Sequence, residues 1–178
     1  DFMNLFLGQI LSVVAIMAAI FNARVNNSKY HVFSLLYVGS GMGIIFSGDL
    51  ITFYLFWEIM MVAATILVCY TGEKGAVKAA FRYLLMHLFG GGILLAGILL
   101  NYVYTGSMDM QNIKEGMPSA LMIIGIGLNA AFIPLHTWLP DAYSKAPFTS
   151  SLLLSAFTTK IAVYALARMF PGVDEIAV

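Results

Sequence analysis

Charge is the scarcest property of this sequence. Nine basic and nine acidic residues are spread over 178 positions, and they cancel. A soluble domain is about one-quarter charged and slightly under half apolar, whereas this chain is 10% charged and 61% hydrophobic. A water-soluble fold of this size leaves too much surface in solvent to hide that apolar content. A disordered chain would be far more polar. With no net charge and no basic patch, nucleic-acid binding is excluded as well.

Cysteine is nearly missing too. Cys69 stands alone, so neither an intrachain disulfide nor a cysteine-rich metal site can form; it sits in an apolar stretch as a small packing or lipid-facing residue. No nucleophile–base pair has a workable spacing, and there is no Cys/His cluster, haem motif or nucleotide fingerprint. No cofactor and no catalytic centre are therefore expected in this chain, and any redox chemistry belongs to another subunit. An initiating methionine is also lacking. Asp1 leads straight into an apolar run without the basic segment or small-residue cleavage site of a signal peptide. That start points to a piece of a longer chain.

What is present is apolar sequence in long runs. A membrane-spanning helix needs about 20 mostly apolar residues, and six charge-poor stretches meet that need. They are Phe2 to Phe21, His31 to Gly48, Leu50 to Thr71, Ala76 to Tyr104, a stretch starting at Pro118, and Phe148 to Phe170. The expected fold is an all-α integral membrane domain over residues 1–178, with about six transmembrane helices. Strands of an outer-membrane barrel would alternate in polarity, and these runs do not. Pro118 suits a first helical turn, and Pro171-Gly172 stops the last helix. If every stretch crosses, Arg24, Lys29, Lys74, Lys78, Arg82 and Lys145 fall on one side, and only Lys114 and Arg168 on the other. The positive-inside rule then puts the loops after spans one, three and five in the cytoplasm.

Charges inside spans are costly and need a partner or a watery cavity. Glu58 lies within Phe53-Tyr54-Leu55-Phe56-Trp57-Glu58-Ile59-Met60-Met61. Burial disfavours its ionised form and a nearby cation favours it, a competition that a switchable proton site needs; a structural salt bridge is the alternative. Lys160 is the twelfth or thirteenth residue of its span, near the midplane at about 1.5 Å per residue. A buried lysine releases its proton readily when its counter-charge moves away, and Thr158 and Thr159 could hold a water near it; a fixed ion pair is the alternative. His87, about ten residues into the fourth helix, is either a proton relay or a helix–helix hydrogen bond. Lys78 and Arg82 share a helix face and serve as headgroup anchors or charge partners.

The fifth stretch is interrupted. Asn129 precedes Pro134-Leu135-His136-Thr137-Trp138-Leu139-Pro140-Asp141-Ala142. Two prolines six residues apart predict a broken helix around Pro134 and Pro140. In membranes such breaks occur only inside protein or beside water, and they often mark ion sites. His136 is read as a relay residue or a partner for a freed carbonyl, and Trp138 as packing or an interface anchor. Asp141 is read as a cap for the short following helix or a partner of Lys145. Gly90-Gly91-Gly92, with Gly39, Gly41 and Gly43, is read as small-residue helix packing.

Two stretches carry a family resemblance. Asp49-Leu50-Ile51-Thr52-Phe53-Tyr54-Leu55-Phe56-Trp57-Glu58 resembles the fifth-helix signature of the proton-conducting antiporter-like subunits. Pro134 to Ala142, with Ser155 to Lys160 and Val163-Tyr164-Ala165-Leu166-Ala167-Arg168, resembles their seventh and eighth helices. This family covers the large membrane subunits of respiratory complex I, the Mrp-type sodium/proton antiporters and the membrane arms of energy-converting hydrogenases. The resemblance implies that the chain is helices three to eight of a longer subunit, including one half of an inverted-repeat transporter fold. It implies a multi-pass protein of a prokaryotic cell membrane, whose partners are the lipid bilayer, other membrane subunits of a multisubunit complex, and protons or sodium ions. By the same resemblance Glu58 is the fifth-helix glutamate and Lys160 the eighth-helix lysine of a proton route, with Asn129, His87 and His136 as polar or hydrated steps. Asn129 falls where the family carries a seventh-helix lysine, and Lys78, Arg82 or Lys160 then becomes the partner of Glu58. The function expected is proton or sodium/proton translocation, and the alternative is a membrane scaffold that has lost transport. A quinone-reducing membrane enzyme has no support beyond aromatic content.

Overall fold

The computed structural model describes residues 2–133 and 135–171. These residues form seven helices: α1 (Phe2–Asn22), α2 (Ser28–Phe46), α3 (Leu50–Val68), α4 (Lys74–Thr105), α5 (Met117–Asn129), α6 (Trp138–Lys145) and α7 (Phe148–Met169). A 3-10 turn, Leu135–Thr137, precedes α6. Among the described residues there is no strand, only an isolated bridge where the Leu50 amide donates to the Met108 carbonyl at 2.9 Å.

The helices α1, α3, α4 and α7 are each long and apolar enough to cross a membrane. Helix α2 is 19 residues long but carries more polar side chains, and α5 is a shorter apolar helix of 13 residues. The helix of the second stretch begins three residues before His31 and stops at Phe46, two residues before Gly48. Asn27 explains the earlier start, since its side chain caps the Lys29 amide at 3.0 Å. Asp49 starts α3 in the same way. Its carboxylate accepts from the Ile51 and Thr52 amides at 3.0 and 2.8 Å and from the Thr52 hydroxyl at 2.6 Å. Those hydrogen bonds, the Thr52 hydroxyl first, hold the Asp49 carboxyl below the usual carboxylate range.

The break in the fifth stretch is real, but proline at 140 does not make it. Helix α5 ends in a Schellman motif: the Phe132 amide donates to the Gly127 carbonyl at 3.0 Å, and the Ala131 amide to the Leu128 carbonyl at 3.2 Å. Ala131 takes the left-handed position, φ 61°, that glycine usually fills. Gly127 has no side chain because the Phe132 ring folds back over it. Pro140 is the third residue of α6, where its missing amide N–H would have no intrahelical partner in any case. Pro134 and Gly172, the other expected breakers, lie outside the described residues.

Consecutive helices run in alternate directions, with α5 and α6 counted as one, while α2 and α7 run side by side in the same direction; this gathers most of the basic residues at one end. There Tyr30 of α2 packs on Tyr70 after α3, with ring centroids 4.8 Å apart, and Gly75 of α4 lies beside Lys145 at the end of α6. At the opposite end α7 closes over α2. Arg168 donates to the Ile45 and Ser47 carbonyls at 3.1 and 2.7 Å, and the Tyr164 hydroxyl donates to Ile45 at 2.9 Å. These bonds satisfy carbonyls that every helix C-terminus leaves unpaired.

Candidate functional site

Glycine brings α3, α4 and α5 together at one level. A Cβ on Gly90 would press on Leu128 and on the Gly125 carbonyl of α5, at 3.1 and 3.2 Å. A Cβ on Gly91 would collide with Oε1 of Glu58 on α3. Gly92, next along, faces open space. The approach continues toward the helix end, where Gly125 meets the α4 backbone at Leu94, and Gly97 meets the α5 backbone at Met122. The small-residue reading of the glycine triplet therefore holds for Gly90 and Gly91 but not for Gly92. Gly41 and Gly43 give way to α7 and to Phe56 of α3, while Gly39 touches nothing.

Three buried polar atoms without a protein hydrogen-bond partner lie on residues around this level. They are Oε1 of Glu58, Nε2 of His87 and Oδ1 of Asn129. His87 and Gly91 are one turn apart on the same face of α4, and Asn129 follows Leu128, which rests on Gly90. Buried polar atoms left unpaired by protein are the usual partners of internal water. His87 is fixed by three contacts with two neighbours. Its Nδ1 lies 2.9 Å from the Tyr83 carbonyl, its ring stacks on Tyr83 at 3.8 Å, and Trp138 meets it edge-on at 4.5 Å. Trp138 is itself tied to α5 through its indole N–H, 3.0 Å from the Leu128 carbonyl. The packing role of Trp138 is thus to lock α6 against α4 and α5.

The other site residues fall elsewhere. Arg82 does not reach Glu58; it pairs with Asp141 of α6 at 2.8 Å, on a partly exposed surface. That pair replaces both the Asp141–Lys145 contact and a capping role for Asp141. Lys78 is exposed on the same face of α4 as Arg82. His136 is exposed in the 3-10 turn. Lys160 is the thirteenth residue of α7, as expected, yet it is not buried in this chain. Its ammonium donates to the Ser155 carbonyl at 2.6 Å, on the outer face beside a groove lined by Met3, Phe6, Leu7, Val163 and Tyr164. Thr158 points the other way, into the bundle, where its hydroxyl lies 2.6 Å from that of Tyr37. Among the described residues, no basic side chain forms a salt bridge with Glu58.

A set of hydroxyl residues escaped the sequence reading. Tyr37 of α2 meets Thr158 of α7 inside the bundle, where Tyr83 of α4 is buried and Tyr143 of α6 half-buried. Tyr143 also donates to the Leu154 carbonyl at 2.9 Å. The sequence held a signal for part of this, because Tyr30, Ser34 and Tyr37 recur at the spacing of one helix face.

The helical bundle and its sequence match one family model, described as "NADH:quinone oxidoreductase/Mrp antiporter, TM", over residues 47–177. The chain belongs to this family. NADH-quinone oxidoreductase subunit N of Desulforudis audaxviator is 34% identical over 165 residues, which are 86% of this chain and 32% of that protein. An Na(+)/H(+) antiporter subunit from Alkalihalophilus pseudofirmus is 30% identical over 156 residues, 81% of this chain and 19% of that protein. Among solved structures, the membrane-bound sulfane sulfur reductase, an archaeal respiratory membrane complex, holds a chain with a TM-score of 0.82 and 30% identity. The match covers 89% of this chain and 35% of that one. The chain thus spans about a third or less of the length of the relatives it matches. As a member of the NADH:quinone oxidoreductase/Mrp antiporter family with several apolar spanning helices, it is a multi-pass membrane protein.

Proposed function

We propose that this chain is the ion-translocating core of one half of a membrane subunit in a complex I-like, Mrp-type or hydrogenase-linked machine. In this reading α1 to α4, the α5–α6 pair and α7 make six crossings, and all but α1 belong to one half of an inverted repeat. The basic loops face the cytoplasm of a prokaryotic cell. Glu58 is the ionisable switch, His87 and Asn129 line its hydrated pocket, and Lys160 carries the proton onward from the outer face of α7. His136 lies beyond that pocket, on the exposed turn before α6.

The observation that carries the reading is the placement of Glu58. A carboxylate oxygen is buried without a protein partner against Gly91, where any larger residue would displace it. A residue kept only for a fixed salt bridge would be expected to have its cation beside it. An acid that takes and releases protons needs instead a place where charged and neutral forms are both tolerated. The test is proton pumping by vesicles that contain the full complex with Glu58→Gln or Lys160→Ala. The reading expects pumping to fall strongly in both with normal assembly, and it fails if both pump at the wild-type rate.

A second reading has one observation behind it. Asn129 stands where the resemblance implies a lysine, and a subunit without that charge can serve as a membrane spacer. In that case the same two variants would reduce the amount of assembled complex and leave pumping per complex unchanged.

A further inference from the structure

One face of α4 changes character along its length. Lys74, Lys78, Arg82, Leu85 and Phe89 recur on it at helical spacing, and all five are exposed. The cations come first, at the basic end of the bundle, and the apolar side chains follow. At about 1.5 Å per residue, the 32 residues of α4 make a helix of about 48 Å, against a hydrocarbon layer of about 30 Å. Set symmetrically, α4 overhangs that layer by about 9 Å at each end. Lys78 then lies at headgroup level. Arg82 starts about 3 Å inside the layer, and its long side chain reaches back to the phosphates. Beside this face is a groove of about 260 Å³ between α4 and the start of α6, lined by Arg82, Leu85, Met86, Thr137 and Trp138. Its rim carries the guanidinium and the exposed Thr137, and its floor is apolar. Asp141 engages one guanidinium nitrogen of Arg82 at 2.8 Å, which leaves the other nitrogen donors for a second acceptor. Among the described residues Lys78 makes no salt bridge. Lys145 adds a further cation at this end, its stem beside Gly75. Lys74, Lys78, Arg82 and Lys145 outweigh Glu73 and Asp141, so the surface is net positive.

We propose that the α4–α6 groove is a binding site for one anionic phospholipid, its phosphodiester on Lys78 and Arg82 and an acyl chain along Leu85, Met86 and Trp138. The site stands apart from the translocation reading of Glu58 and needs only the membrane setting of the chain. Two opposite demands meet here within two turns of one helix, and a phospholipid satisfies both. A cationic rim above an apolar cleft between helices is the arrangement that selects anionic headgroups. A guanidinium grips a phosphate through paired N–H donors, and the Lys78 ammonium adds a point charge one turn away. A zwitterionic lipid brings its own cation to this rim and gains less from it. A soluble phosphate gains nothing from the floor. The lipid would also bear on the bundle itself. Trp138, at the back of the groove, meets His87 edge-on at 4.5 Å and bonds to the Leu128 carbonyl at 3.0 Å. An acyl chain against that indole covers the seam where α6 is locked to α4 and α5.

The test uses the full-length protein in its native complex, reconstituted with trace amounts of two photoreactive lipids. One is a phosphatidylglycerol and the other a phosphatidylcholine, each with the same diazirine halfway along one acyl chain. Mass spectrometry of the peptides around Leu85 and Trp138 reads the attachment. The groove site expects the phosphatidylglycerol probe to label these peptides at least about fivefold more than the phosphatidylcholine probe, on the scale of one cation near an anionic headgroup. Unlabelled phosphatidylglycerol should compete, and glycerol phosphate, the headgroup alone, should not. Lys78→Gln should lower phosphatidylglycerol labelling about fivefold and leave phosphatidylcholine labelling unchanged. Arg82→Gln should do the same, and Arg82→Lys should keep most of the labelling. If the Arg82 variants assemble poorly because Asp141 loses its partner, Lys78→Gln decides alone. Equal labelling by the two probes, or no response to Lys78→Gln, means ordinary bilayer lipid and overturns the site. Competition by glycerol phosphate means a site for soluble anions and overturns it too. No labelling by either probe means that protein covers the groove, which also overturns it.

Discussion

Alanine substitution along Gly90, Gly91 and Gly92 separates three effects that ordinary mutagenesis would blend. The same methyl group is added at three successive positions of one helix, so helix propensity changes equally. The surroundings differ. At Gly91 the new Cβ would overlap Glu58 Oε1, where ordinary van der Waals contact begins at 3.4 Å. The glutamate must therefore swing aside by more than an ångström. Forcing a side chain off its rotamer costs about 0.5–1.5 kcal/mol, and overpacking a filled interior about 1–3 kcal/mol. A displacement of roughly 2 kcal/mol would reduce the population of the native carboxylate position by more than tenfold. Gly91→Ala is thus expected to depress proton pumping about tenfold or more while the complex still assembles, because the obstacle is the far end of a flexible side chain. Gly90→Ala meets Leu128 and a carbonyl of α5 at 3.1 to 3.2 Å, so it should loosen the α4–α5 contact and lower thermal stability. Gly92→Ala meets nothing and should be neutral for both. Pumping rates per assembled complex and melting temperatures in detergent read out the two axes. Equal losses at all three positions, or wild-type pumping in Gly91→Ala, would refute the placement of Glu58 against α4.

Three smaller predictions follow from local geometry. The Arg82–Asp141 pair is partly exposed, so a double-mutant cycle with Arg82→Ala and Asp141→Ala should return a coupling of no more than about 1 kcal/mol; a value several times larger would mean a buried, functional pair. Ala131→Gly should raise the stability of the purified protein by about 1 kcal/mol, since a left-handed alanine carries strain that glycine lacks; a lower melting temperature would contradict the Schellman geometry. Asp49→Ala should destabilise by about 1 kcal/mol through loss of the α3 cap. Because folding lowers the Asp49 pKa, that contribution is fully present above its unfolded value near 4 and is lost as pH falls through the depressed folded value. The melting temperatures of wild type and Asp49→Ala should therefore converge in acid and stay apart at neutral pH.

Much of this architecture is readable along the chain. The membrane setting follows from scarce charge and long apolar runs, both local quantities. Five of the six expected stretches begin and end within about three residues of a helix, and the fifth divides into α5 and α6. Asn129 and the Pro-Leu-His-Thr-Trp-Leu-Pro stretch marked the division, although the turn itself is a Schellman motif whose left-handed residue is Ala131, a residue without any visible breaking signal. Glu58 stood out because an acid among aromatic and aliphatic residues has an evident desolvation cost.

Who meets whom was another matter. Arg82 finds Asp141 across 59 residues, and among the described residues Glu58 has no salt bridge. Lys160 and Thr158 are two positions apart on one helix, yet one faces outward and the other joins Tyr37, 121 residues away. Periodicity tells which residues share a helix face, but it does not tell which neighbour that face will find. The neighbour depends on how closely backbones approach, and here Gly90, Gly91 and Gly125 allow α3, α4 and α5 to close on one another. The composition and local pattern determined a membrane bundle with a costly acid inside it. Only the packing of distant helices decided that this acid rests against glycine, and that Tyr37 meets Thr158, because side-chain contacts between helices depend on interatomic distances that no local run of residues contains.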